Sequence, residues 1–124
     1  MAYAEEPEAA QLGNLKLHLV AASGKCNLQF LRNSGSSTVS LQLEPPCHFH
    51  RDVRGQLRVV SHRQKIVILV ESSRPNRKHA GDCDTRIQGI SIISNQVVPS
   101  KVISKVALCP PFQWDEKMFV ALSE

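Results

Sequence analysis

At 124 residues and 13.8 kDa the chain holds enough sequence for one domain, which excludes a multidomain enzyme. Hydrophobic residues make up 42% and charged residues 21%, the proportions of a folded globular protein rather than of a chain disordered throughout. Fifteen Lys and Arg against 11 Asp and Glu leave a net charge of +4, which permits an acidic partner, and no apolar run exceeds five residues, so no transmembrane helix of about 20 residues is encoded.

Residues 1–13 lack apolar periodicity and carry three glutamates, and they read as a mobile leader or a short helical turn ahead of a single β-rich domain over 14–124. Within the leader, Ala2-Tyr3-Ala4 fits the small-x-small pattern of a signal-peptidase site, and Glu5-Glu6-Pro7 after it resembles the start of a mature exported protein. Leu15, Leu17 and Leu19 alternate with Lys16 and His18, the period of a half-buried strand. Ser23-Gly24 supplies turn chemistry before a second strand over Cys26 to Asn33, in which Leu28 and Phe30 share a face. Asn33 to Ser37 reads as a loop, and Val39, Leu41 and Leu43 mark a third strand that Pro45-Pro46 stops.

After an irregular stretch, Leu57 to Val60 and then Lys65 to Glu71 are predicted strands. Ile66 to Val70 is apolar at every position and β-branched at four of five, as expected of a central strand covered on both faces. Ser72 to Asp84 contains Pro75, Gly81 and several charges without periodicity and reads as a long exposed loop pinned by Cys83. Two further strands follow, Ile87 to Ser94 and Val102 to Leu108, with Pro99 inside the connecting turn. Beyond Pro110-Pro111, Asp115 can cap a short helix that sets Met118, Phe119 and Leu122 on one side. The pattern is mainly β: an antiparallel β-sandwich or small barrel of about seven strands with a short C-terminal helix.

The four cysteines, Cys26, Cys47, Cys83 and Cys109, form no C-x-x-C pair, so zinc-ribbon and thioredoxin-like spacings are missing and structural disulfides are the leading use. Three pairings are open. Cys26 with Cys47 and Cys83 with Cys109 is preferred because each bond then closes a loop within its own half of the chain, worth about 3 kcal/mol by loop entropy. Disulfides and the signal-peptidase pattern together favour a periplasmic or secreted protein.

Candidate chemistry is sparse. His48-Phe49-His50, if extended, puts both imidazoles on one side, and His62 or Asp52 can supply a third metal ligand after a bend. The simpler reading is a histidine-bearing loop held by Cys47. Ser73, His79 and Asp82 lie close together but carry no nucleophile-elbow signature, and Asp82 and Asp84 merely flank Cys83, so no enzyme is expected. No cofactor motif occurs. Arg51, Arg54, Arg58 and Arg63 have only Phe49 near them, unlike the basic stripe with stacking aromatics of a nucleic-acid binder, so neither nucleic acid nor membrane insertion is expected.

A protein partner is what remains. Arg74, Arg77 and Lys78 on the long loop can steer an acidic surface, and Trp114, whose simpler reading is a core plug over one open end of the sheet, would serve as an anchor if exposed. In size, cysteine use and β content the chain is similar to the small exported inhibitors and immunity proteins that block bacterial hydrolases or toxins, which implies non-enzymatic protein binding. A periplasmic metal- or small-ligand-binding protein built on His48, His50 and His62 is the alternative. Replacing Ile68 by Ala should cost about 2–5 kcal/mol in equilibrium denaturation, and a loss below about 1 kcal/mol would place the Ile66 to Val70 run outside the core.

Overall fold

The computed structural model describes residues 8–123. They form two antiparallel sheets of four and five strands that face each other without closing into a barrel, followed by one short helix. The first sheet is a meander of β1 (Glu8–Leu12), β2 (Leu15–Ala22), β3 (Lys25–Arg32) and β4 (Gly35–Ser40). The leucine alternation sets its inner face: Leu17 lies opposite Phe30, Leu19 opposite Leu28, and Leu28 opposite Val39. Ser23 and Gly24, at φ 54° and 75°, make the two-residue turn between β2 and β3, where both central residues need positive φ to match the strand twist.

Two sequence expectations change here. Glu8–Leu12, read as part of a leader, is an edge strand paired with β2, and its Ala10 packs against the core. The tripeptide Ala2-Tyr3-Ala4 lies outside the described residues. The serine-rich stretch is a loop only at Asn33 and Ser34, because Gly35 to Ser40 pairs residue for residue with β3. Polar side chains hid this strand: Ser36 and Thr38 face solvent and need no apolar partner.

Leu41 and Leu43 carry the buried pattern past β4, tied to Cys26 by backbone hydrogen bonds of 2.9 Å. The chain then crosses to the second sheet, made of β5 (Cys47–Phe49), β6 (Val60–His62), β7 (Lys65–Pro75), β8 (Cys83–Ile93) and β9 (Gln96–Val106). Its order is β5-β7-β8-β9, and β6 also pairs with β7. Two three-residue strands therefore share one rim, β5 on Val70–Ser72 and β6 on Lys65–Val67.

β7 is the central strand. Ile68 and Val70 point into the sandwich with the leucines of the first sheet, while Val67 and Leu69 join a second apolar cluster with Ile87, Trp114, Phe119 and Leu122. The second cluster lies under α1 (Glu116–Ala121), so the molecule has three layers. Asp115 caps α1 as expected, its side chain accepting from the Met118 amide at 3.3 Å.

The long loop contracts. β7 runs to Pro75 and β8 begins at Cys83, with Ser73 opposite Thr85 and Arg74 opposite Asp84, leaving only 76–82 as the connection. Strand pairing overrides the missing hydrophobic alternation because this end of the hairpin extends into solvent. Pro99 sits within β9 rather than in a turn, opposite Ile90 where the β8–β9 register shifts. That rim position requires no amide donor. The turn is Ser94-Asn95, at φ 46° and 68°.

Both expected disulfides form, Cys26 with Cys47 and Cys83 with Cys109. The first joins the two sheets, and the second ties the start of β8 to the segment after β9. Two such bonds point to an oxidising, extracytoplasmic compartment. Among the described residues no helix is long and apolar enough to cross a membrane.

Gly89 fixes how closely the helical layer approaches. A Cβ built there would stand 2.0 Å from the Leu122 carbonyl oxygen and 2.6 Å from its Cβ. Because the obstacle is backbone, Gly89→Ala should lift the C-terminal segment and cost about 1–3 kcal/mol in thermal or denaturant unfolding. A variant as stable as the parent would show that Leu122 does not rest on β8.

Candidate partner-binding surface

Where β7 and β8 outrun the sandwich, Arg74, Pro75, Asn76, Arg77 and Lys78 face Cys83, Asp84 and the end of β9 across an open cleft of about 890 Å³. Lys105, Val106 and Ala107 form the far wall. The tip is braced locally. Asn76 Oδ1 accepts from the amides of Lys78 at 2.9 Å and His79 at 3.2 Å, its own amide donates to the Asp82 carbonyl at 3.0 Å, and the Cys83 amide donates to the Ala107 carbonyl at 2.8 Å. The Cys83–Cys109 bond closes the same corner covalently.

The cations of the cleft are unequally engaged. Arg74 donates to the Pro45 carbonyl at 2.8 Å and stands 3.6 Å from Glu44, so it is partly tethered outside the cleft. Arg77, Lys78 and Lys105 form no ion pair among the described residues. Lys105 is also directly opposite Arg86 in the β8–β9 ladder, a like-charge pair that is unfavourable in itself. Asp84, 3.8 Å from Arg86, is the single acid in the lining. Arg74, Arg77 and Lys78 thus lie on one cleft. Lys105 is remote from them in sequence and reaches the cleft only through strand pairing.

The histidines do not converge. His48 is exposed with Nδ1 3.3 Å from Glu8, His50 is buried on Glu71, and His62 ends β6 opposite Lys65. Among the described residues no group of three His, Cys, Asp or Glu side chains is placed to hold a metal ion. Ser73, His79 and Asp82 likewise form no relay: Ser73 Oγ lies 2.6 Å from Thr85 Oγ1, within the strand ladder.

Trp114 takes the buried place of a core plug, the simpler of its two sequence readings. It is 4% exposed and belongs to the cluster beneath α1, so its ring offers no anchor to a partner. Its indole N–H donates to Glu71 Oε1 at 2.5 Å, and the same oxygen is 2.8 Å from His50 Nδ1. Arg58 completes the group. One of its terminal nitrogens donates to the Trp114 carbonyl and lies 3.4 Å from His50 Nε2, while its guanidinium stands 4.9 Å from the centre of the Phe119 ring. His50 Nδ1 thus faces the Glu71 carboxylate, which can only accept when ionised, and its Nε2 faces Arg58.

This cluster is buried, with His50 3% exposed, and it packs beneath the C-terminal helix. Compared with protein-family models, curated proteins and solved structures, the chain matches none. Replacing Glu71 with Leu would leave the Trp114 and His50 donors unpaired, at roughly 1–3 kcal/mol each, so unfolding measurements should show a loss of at least about 2 kcal/mol. An unchanged midpoint would mean that these bonds do not hold the C-terminal layer.

Proposed function

We propose that this chain is an exported, non-enzymatic protein-binding domain that receives an acidic segment of another protein in the cleft between the β7–β8 tip and the end of β9. The observation that carries the reading is the set of three cations, Arg77, Lys78 and Lys105, that line one cleft without ion-pair partners among the described residues. A facing carboxylate-rich segment would relieve the opposition of Lys105 and Arg86. The bracing of the tip favours the same reading, because a loop already held by Asn76 and Cys83–Cys109 loses little freedom on docking.

The cleft lining contains no aromatic side chain, so it lacks the stacking platform on which single-stranded nucleic acid is bound. Among exported proteins of this size, an inhibitor or immunity protein that blocks a bacterial hydrolase or toxin fits a rigid, charged end surface, and a periplasmic or secreted setting fits the two disulfides.

A glutamate-rich peptide titrated into the isotopically labelled protein tests the surface whatever the identity of the partner. Amide shifts are expected at Arg74 to Lys78 and Lys105 to Ala107, and binding should weaken as salt rises. The double variant Arg77→Glu, Lys78→Glu should abolish the shifts while leaving the unfolding midpoint nearly unchanged, because exposed charges contribute little to folding. Equal binding by parent and variant at low ionic strength would remove the cleft as the docking surface.

A further inference from the structure

The rims of the two sheets are unequally guarded against pairing with another chain. β1 is covered: Glu8 accepts from the Phe49 amide at 3.3 Å and pairs with Arg51 at 3.2 Å, and Arg51 also donates to the Ala9 carbonyl at 2.6 Å. The β5 and β6 rim is broken into two three-residue pieces and preceded by Pro45-Pro46. β9 carries Pro99, Lys101 and Lys105 and a register shift against β8. Prolines, lysines, interrupted strands and bulges are the usual means by which a rim is made unfit for a further strand.

β4 has none of these. Its six residues, Gly35-Ser36-Ser37-Thr38-Val39-Ser40, include no charge and no proline, and they pair with β3 in unbroken register from Arg32↔Gly35 to Asn27↔Ser40. Its other edge pairs with no strand among the described residues. Every residue of β4 is exposed except Val39, which is half-buried at the border of the sandwich core.

We propose that β4 is a self-association edge, on which β4 of a second copy pairs antiparallel to join two four-stranded sheets into one of eight. The absence of charge selects this occupant. A strand of the same sequence meets β4 with no like charges opposed, whereas β9 against itself would bring its lysines together. The strand period limits the register further. A two-fold axis perpendicular to the sheet keeps inner residues opposite inner residues, so the axis can pass at Thr38, placing Thr38 against Thr38 of the second copy and Ser37 against Val39. Ser37 and Val39 lie opposite Phe30 and Leu28 within the sheet, so this pairing extends the core-facing side and covers the exposed part of Val39.

Sedimentation equilibrium of the full chain from micromolar to millimolar concentration tests the proposal. The parent should move from 13.8 kDa toward twice that mass. Thr38→Lys sets two ammonium groups against each other at the axis and should hold the mass at the monomer value with unchanged far-UV circular dichroism, whereas Thr38→Val should dimerise like the parent. The double variant Ser36→Lys, Ser40→Lys, whose two positions stand opposite each other across the same axis, gives the same readout should Thr38→Lys fail to fold. A parent that stays monomeric throughout the range, or folded lysine variants that dimerise as the parent does, would overturn the assignment. Neither result bears on the basic cleft, which peptide titration reads separately.

Discussion

Burial of β7 on both faces is the constraint from which the rest of the architecture follows. Val67, Ile68, Leu69 and Val70 are each fully buried, so a single sandwich cannot satisfy the strand: half of these side chains would face water. The first sheet covers Ile68 and Val70, and something must cover Val67 and Leu69. The C-terminal segment that carries Trp114, Phe119 and Leu122 does so, and this covering layer is held at several separate points. Lys65 and the Ser91 hydroxyl both donate to the Ser123 carbonyl, at 3.0 and 3.1 Å, Gly89 admits Leu122 at close range, and Trp114 is bonded to Glu71.

Glu71 shows what this arrangement requires. It is the next residue on the helical face after Val67 and Leu69, and it is only 6% exposed. A carboxyl so placed is costly unless its oxygens are bonded, and the Trp114 indole and His50 imidazole converge on it. Arg58 then satisfies the outer nitrogen of His50 and the Trp114 carbonyl together, and stacks on Phe119. One polar side chain at the end of a hydrophobic run thereby fixes the position of a histidine, a tryptophan and an arginine that are far apart in sequence.

The parts of the fold legible in the sequence are those in which a short-range pattern and the tertiary environment agree. Leu15, Leu17 and Leu19 alternate because one face of β2 meets the core, and Ile66 to Val70 does not alternate because β7 has no solvent face. The two disulfides follow from loop closure, and Asp115 caps the helix it was expected to cap. Where pairing alone imposes the strand, the pattern is silent: β1 and β4 are rim strands, and the ends of β7 and β8 project beyond the core, so their polar side chains lose nothing by being extended. Of the candidate cleft, Arg74, Arg77 and Lys78 are sequence neighbours and are seen together, whereas Lys105 joins them only through the β8–β9 ladder; the burial of Trp114 is expected beside a capped helix, but its bond to Glu71 is one that no local spacing reveals.

The projecting end also shows how a surface so rich in cations can be braced. Elsewhere in the molecule rigidity comes from apolar packing, which excludes charged side chains from the same positions. At this end other bonds take over: the buried Thr85 hydroxyl donates to the Leu108 carbonyl at 2.8 Å and meets Ser73 at 2.6 Å, the Cys83 amide is taken by Ala107, and Cys83–Cys109 fixes the two segments to each other. These bonds use backbone groups, hydroxyls and sulfur, and leave Arg77, Lys78 and Lys105 without an ion-pair role among the described residues. A disulfide placed at the end of a hairpin rather than within the core therefore has a separate consequence from stabilisation. It allows the chain to hold a charged concave surface in one shape without burying any of the charges that give the surface its character.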